Sequence, residues 1–452
     1  MKPSVPKGTR DYLPAEVYKR EFIFHTIKKV FEEFSYVPIQ TPTMENLSTL
    51  TGKYGEEGDK LLFKILNNGD FLSKADQDAL TTKDSQKLVS SISKRGLRYD
   101  LTVPFARYVV QHQNDLYFPF KRYQIQPVWR ADRPQRGRYN EFYQCDVDVV
   151  GSESLLYEAE LVQIYDKVFA ALGIDVTIRV NNRKVLFGFA ESLGLEDSFV
   201  DMTISLDKLD KIGEEKVIED MVTKGIDRTK AEKVINYISA ENLKDLESAF
   251  ANSPTGQKGL EELKEFHSYL DLIECKNKVV FDPSLARGLN YYTGCIFEVD
   301  SNAVEIGSIG GGGRYDDLTS VFGLKGVSGV GVSFGFARIY DVMTELKLFP
   351  ESLENMTKVL VVCLDKESLA YGFSVGSQLR VAGIPTDIYP EPKKLKKQLG
   401  YANNKHIPYA IIIGEEERRS NSLQLKDMNT GKQSLVSLED AVKQLIEDTS
   451  EI

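Results

Sequence analysis

Histidine and cysteine are scarce in this chain, four of each in 452 residues, alongside a single tryptophan. The cysteines Cys145, Cys275, Cys295 and Cys363 form no Cys-x-x-Cys pair. That spacing argues against a zinc site and against a disulfide framework, and reduced, buried thiols are the expectation. Nothing around His25, His112, His267 or His406 suggests a Ser-His-Asp system, so each histidine is expected as a structural or surface group. No apolar run approaches the length that spans a bilayer. Residues 1–8 hold no apolar core of a signal peptide, and a cytoplasmic protein without a membrane partner is expected. An overall basic balance is also missing: the net charge of -10 does not advertise nucleic-acid binding.

What is present is an ordinary globular composition, 42% hydrophobic and 27% charged, in a chain long enough for two or three domains. Positive charge is concentrated locally. Residues 119–138 hold six Lys or Arg against one Asp, and 391–405 hold five Lys against one Glu. A solvated face explains either cluster alone. Two clusters in different domains point equally to a polyanionic partner.

The first cluster lies within 118–150, which reads as two extended segments joined by an arginine-rich turn. Alternation across a strand puts Arg138, Asn140, Phe142, Gln144, Asp146 and Asp148 on one face of the second segment. The other face carries Tyr139, Glu141, Tyr143, Cys145, Val147 and Val149 and suits burial. A guanidinium, a ring, an amide and carboxylates in a row suit a floor that holds a phosphate-bearing ligand and a polar small molecule. A structural ion-pair ladder fits less well, because few acids are interleaved. Arg130 and Arg138 offer forked donors for phosphate or carboxylate oxygens.

Three further segments carry chemistry. In 97–104, where 97–102 reads as a strand, Arg98, Asp100 and Thr102 share a face, and Asp100 suits an α-ammonium group. A surface strand is the plain alternative. In 286–294, Arg287 precedes the adjacent Tyr291 and Tyr292; tyrosine pairs are usually core or sheet residues, and an arginine there can act only electrostatically. The run Gly310 to Gly313, then Arg314, Tyr315 and Asp316, fits neither the Walker pattern nor Gly-x-Gly-x-x-Gly. Its glycines more plainly let backbone approach a ligand.

Together these segments resemble the class II aminoacyl-tRNA synthetases, and the histidyl family in particular. The helical spacing over 15–34, the extended 36–42, Pro42 and Glu45 are similar to motif 1, which builds the homodimer interface in that class. Arg130, a loop, Arg138 and Phe142 resemble motif 2, and 329–338 ending at Arg338 resembles motif 3. Arg-Gly-Leu-x-Tyr-Tyr at 287–292 and Gly-Gly-Arg-Tyr-Asp at 312–316 resemble the two histidyl signatures. The resemblance implies a histidine–tRNA ligase using ATP with Mg2+ and no protein-bound zinc. It implies Arg287 and Arg130 as catalytic cations. At L-histidine it implies Asp100, Thr102, Arg130, Gln144, Asp148, Arg287, Tyr291, Tyr292 and Tyr315. At ATP it implies Arg130, Arg138, Phe142 and Arg338, and at the acceptor end of tRNA(His) it implies Arg133, Gln135 and Arg136.

The implied fold is an α+β catalytic domain, a mostly antiparallel sheet flanked by helices, over 1–194 and 276–345. A helical insertion is expected over 195–275, where the chain is densely charged, and a linker over 346–356. An α/β anticodon-binding domain is expected over 357–452, from strands near 359–363, 386–389 and 409–413 with intervening helices. Residues 67–96 read as a hairpin tip enlarged by an insertion. No His-Ile-Gly-His or Lys-Met-Ser-Lys-Ser segment exists, which excludes a class I synthetase. Two rivals share the fold. A catalytically silent paralogue, the regulatory subunit of ATP phosphoribosyltransferase, typically lacks the anticodon domain. A threonine, proline or glycine synthetase leaves the 287–292 motif unexplained.

Overall fold

The computed structural model describes residues 2–51, 60–240, 242–286, 292–354 and 356–450. The chain divides into two compact units, Met1–Asp11 with Arg20–Leu348, and Tyr12–Lys19 with Phe349–Ile452. No helix among the described residues is long and apolar enough to cross a membrane.

The first unit forms β1 (Val37–Pro38), β2 (Met44–Asn46), β3 (Lys64–Leu66), β4 (Ser93–Leu97), β5 (Phe120–Trp129) and β6 (Glu141–Val150). It continues with β7 (Val176–Asn182), β8 (Lys278–Phe281), β9 (Cys295–Ser301), β10 (Gly310–Tyr315) and β11 (Gly329–Phe334). Eight of these build one sheet in the order β1-β5-β6-β11-β10-β9-β7-β8. Its interior pairings are antiparallel; the edge pairs β1–β5 and β7–β8 are parallel. The register of β5 with β6 sets Arg122 opposite Asp148, Gln124 opposite Asp146 and Gln126 opposite Gln144.

The expected alternation in β6 holds, and packing enforces it. On the apolar face Cys145, Val147 and Val149 are buried. Tyr143 meets Phe24 of the helix Pro14–Glu33 at 5.1 Å and Phe336 of the helix Phe336–Glu345 at 6.2 Å, and those two phenyl rings stack at 4.1 Å. Ile23, Ile27, Val30 and Phe31 form the buried stripe of an amphipathic helix. Each such side chain contributes about 1.5–3 kcal/mol on burial. This layer therefore commits one face of the sheet to the helices and leaves the polar face of β6 to a cavity.

Residues 67–92 connect β3 to its antiparallel partner β4 and hold the short helices Gln77–Thr82 and Ser85–Ile92, so the expected enlarged hairpin begins at β3, before residue 67. Asp76 and Asp84 cap these helices by accepting the N–H of Ala79 and Lys87. The strand expected over 97–102 is corrected: β4 ends at Leu97, and Thr102 opens the helix Thr102–Gln111. Pro104 lies in the first turn, where its missing N–H costs nothing, and Asp100 Oδ1 accepts from the Val103 N–H at 3.3 Å. These local helix-start preferences override the alternation. Arg98 does not share a solvent face with Asp100 either. It is fully buried, donating to the backbone oxygens of Thr41 at 2.6 Å and Pro127 at 2.9 Å.

Residues 195–275 run through short helices, from Glu196–Ser198 to the longer Pro254–Leu270, and fall within the same compact unit as the sheet. The second unit forms β12 (Val359–Cys363), β13 (Thr386–Ile388), β14 (Tyr409–Ile413), β15 (Leu423–Asp427) and β16 (Gln433–Val436). They make a mixed sheet in the order β13-β12-β14-β15-β16. One face packs Val359, Val361, Ile411 and Ile413 against Val375 and Leu379; the other packs Leu360, Val362 and Ile412 against Ala402. Burial on both faces is why β12 and β14 read as continuous apolar runs.

Candidate active site

The polar face of β6 opens into two adjoining cavities. The inner one, about 130 Å³, is lined by Asp100, Thr102, Asp146, Asp148, Tyr315 and Gly331 among others. The outer one, about 380 Å³, is lined among others by Arg138, Phe142, Glu298, Ser308 and Arg338. Arg130, Gln144, Tyr292, Gly311, Gly312 and Ser333 line both. The smaller volume suits an amino-acid side chain and the larger a nucleotide.

At the inner end Asp148 is held from two sides. Arg122 Nη2 lies 2.8 Å from its Oδ2, and the Tyr315 hydroxyl donates to its Oδ1 at 2.6 Å. Arg122 is fully buried, its guanidinium 4.0 Å from the Phe105 ring centre. Burial raises the Asp148 carboxyl above its ordinary range, opposed by Arg122 and the Tyr315 hydrogen bond. Burial and the neighbouring Asp148 push the Tyr315 phenol well above its ordinary value, so it stays a neutral donor. Gly331 of β11 sits opposite Asp148, and a Cβ there would stand 1.9 Å from Asp148 Oδ1. Only glycine leaves room for that carboxylate.

One step along the strand, Asp146 accepts a hydrogen bond from the Ser333 side chain and lies 3.5 Å from Gln144 Nε2. At the junction of the cavities Arg130 donates its Nε to the Tyr99 backbone oxygen at 2.9 Å, and its guanidinium lies 5.3 Å from the Phe142 ring centre. Beyond it, Gln135 and Arg138 exchange backbone hydrogen bonds of 3.0 and 2.9 Å around a two-residue turn. Gly137, with φ of 69°, supplies the left-handed position that turn needs. Arg338, in the first turn of the helix Phe336–Glu345, donates its Nη1 to the Ser308 backbone oxygen at 2.5 Å.

The structure thus brings Asp100, Thr102, Arg130, Gln144, Asp148, Tyr292 and Tyr315 together at the inner cavity, and Arg130, Arg138, Phe142 and Arg338 at the outer. Arg287 and Tyr291 lie outside the described residues. Arg133, Gln135 and Arg136 are exposed on the hairpin tip and line neither cavity; Arg136 pairs with Glu345. Four lining or supporting residues were given no role from the sequence: Arg122, Asp146, Glu298 and Ser333. Alternation had already put Asp146 on the cavity face, and the same period applied to 120–129 would have set Arg122 beside it. Nothing local marks Ser333 or Glu298, which arrive from β11 and β9.

A family model, Histidyl-tRNA synthetase, matches residues 70–339, more than half of the chain. The chain belongs to the histidyl-tRNA synthetase family. A second model, Anticodon binding domain, matches residues 358–448. The histidine–tRNA ligase of Christiangramia forsetii is 55% identical over 441 residues, covering 96% of this chain and 97% of that protein. The histidine–tRNA ligase of Phocaeicola vulgatus is 53% identical over 441 residues, with the same 96% and 97% coverage. Among solved structures, the histidyl-tRNA synthetase from Nostoc sp. PCC 7120 superposes with a TM-score of 0.83 at 30% identity, over 99% of this chain and 100% of that one. In this synthetase family member the eight-stranded sheet is accordingly the class II catalytic sheet, and β12 to β16 belong to the anticodon-binding fold.

Proposed function

We infer that the chain is a histidine–tRNA ligase. It activates L-histidine with ATP to histidyl-adenylate and pyrophosphate, then transfers histidine to the 3′ end of tRNA(His). The observation that carries the site-level reading is the sharing of Arg130, Gln144 and Tyr292 between a cavity of amino-acid size and one of nucleotide size. Two anionic reactants meet at that seam.

The substrate carboxylate is itself the nucleophile, so the protein has only to position it and to neutralise charge. Asp100 and Thr102 take the α-ammonium group. Asp148 accepts an imidazole N–H with a lone pair left over from Tyr315 and Arg122, and Tyr292 with Tyr291 flanks the ring. Arg130 bridges the histidine carboxylate and the ATP α-phosphate, with Gln144 beside it. Arg287, from the signature before Tyr291, supplies the second cation at the same place, where charge grows as pyrophosphate leaves. Phe142 stacks the adenine, and Arg138 and Arg338 hold its far side and the γ-phosphate. Magnesium would neutralise phosphate charge, and Asp132 and Glu298, carboxylates that line the outer cavity, would be the side chains to hold it.

Arg133, Gln135 and Arg136 are proposed to meet the tRNA acceptor end. The Arg136–Glu345 pair is exposed on both sides, so releasing it costs little. The helical stretch 195–275 is proposed as an insertion in the catalytic body over 1–194 and 276–345, and 357–452 as the anticodon-binding domain after a linker at 346–356. A homodimer is proposed through the motif 1 segment, where Val37 of β1 and Met44 of β2 are 47% and 50% exposed. Four free thiols fit a reducing, cytoplasmic setting. The test is ATP–pyrophosphate exchange driven by each of the twenty amino acids. Histidine alone should support it; faster exchange with another amino acid would overturn the assignment.

A further inference from the structure

Asp100, Asp146 and Asp148, none more than 3% exposed, converge on a cavity of about 130 Å³. Asp148 is already matched by Arg122 and Tyr315. Asp146 has no ion pair among the described residues; its partners are the Ser333 side chain and, at 3.5 Å, the Gln144 amide. A buried carboxylate that faces a cavity without an ion-pair partner is unfavourable in its charged form. The cavity's occupant is the natural source of the missing charge.

Spacing identifies which part of the occupant it is. Same-face residues on a strand stand about 6.8 Å apart. The α-nitrogen and the far ring nitrogen of histidine are roughly 5–6 Å apart by standard bond lengths. With the far ring N–H on Asp148, the amino end falls beside Asp146, toward Asp100 and Gln144. Resting on the histidine–tRNA ligase reading above, we propose that Asp146 is a specificity-determining ligand of the substrate's α-ammonium group, shared with Asp100.

The proton balance of this contact is specific. Burial raises the Asp146 carboxyl to about 7; Arg122 pulls it down, while Asp148 and Asp100 push it up. Other ionisable groups that interact with it are Arg98, which stays cationic, and the Tyr165 phenol and Cys145 thiol, both kept neutral by burial. In the empty cavity near neutral pH the carboxyl is partly protonated. An arriving ammonium group converts it to the carboxylate, and the displaced proton leaves to solvent.

The test is calorimetric titration of the full-length enzyme with histidine at pH 7 in two buffers of different ionisation enthalpy. The wild type should release about half a proton per site beyond the count for Asp146→Asn, given a carboxyl near 7. The same substitution should weaken histidine binding roughly ten- to a hundredfold, as for a charged hydrogen bond. It should leave imidazole propionate, which lacks the amine, and ATP nearly unaffected. Equal losses for histidine and imidazole propionate overturn the proposal. If Asp146→Asn does not fold, wild-type enzyme that releases no proton on binding histidine overturns it. Histidine-driven exchange in the wild type, alongside either negative result, leaves the ligase reading standing and removes only this one.

Discussion

Tyr315 on β10 donates its hydroxyl to Asp148 on β6 at 2.6 Å, spanning the intervening strand β11. The contact passes over Gly331, the residue of β11 that faces Asp148. With Arg122 on its other oxygen, the Asp148 carboxylate is oriented before any ligand arrives. That preorganisation is what a selective acceptor requires.

Asp148→Asn keeps the shape but replaces one acceptor oxygen with a donor. The KM for histidine should rise at least tenfold while the KM for ATP changes little, because an imidazole N–H left without its acceptor is strongly rejected. Equal losses for the two substrates would count against Asp148 as the ring's partner. Breaking a buried pair on one side costs about 3–5 kcal/mol in general, so denaturant melts should also show lower stability.

Arg287→Ala should slow adenylate formation by about 3 kcal/mol or more of barrier, the cost of removing one fixed charge-stabilising donor. Pyrophosphate exchange close to that of the wild type would remove Arg287 from the mechanism.

Gly331→Ala would drive a methyl group to within 1.9 Å of Asp148 Oδ1. A loss of about 1–3 kcal/mol in stability is expected from such overpacking, together with loss of histidine-dependent exchange. Gly400→Ala is the control. It lies in the helix Leu395–Asn404 with nothing within 4 Å of its added Cβ, and should be neutral or stabilising by about 0.5–1 kcal/mol. Matching melts for the two variants would refute the close-approach argument.

Lys394, Lys396 and Lys397 are exposed at the start of that same helix. Reversing all three to Glu should weaken tRNA charging and flatten its salt dependence, since each phosphate contact contributes to the slope. Histidine-driven exchange without tRNA should be unaffected. If charging is unchanged as well, the helix does not meet RNA.

The sequence by itself determined the family and which face of β6 borders the cavities; the helical stretch 195–275, expected as an insertion domain, falls within the first compact unit. Period-two alternation assigns Phe142, Gln144, Asp146 and Asp148 without knowledge of any neighbour. It misjudged 97–102, where Pro104 and the Val103 N–H to Asp100 hydrogen bond favour a helix start over the pattern. Tertiary structure alone decided the rest. Arg122, Ser333 and Gly331 reach the site from other strands, and only sheet register makes one of them a counter-charge, one a donor and one an empty space. Burial, which depends on every layer of the fold at once, sets the protonation of Asp146 and Asp148. Local sequence encodes side-chain direction; charge state depends on what the whole chain packs around it.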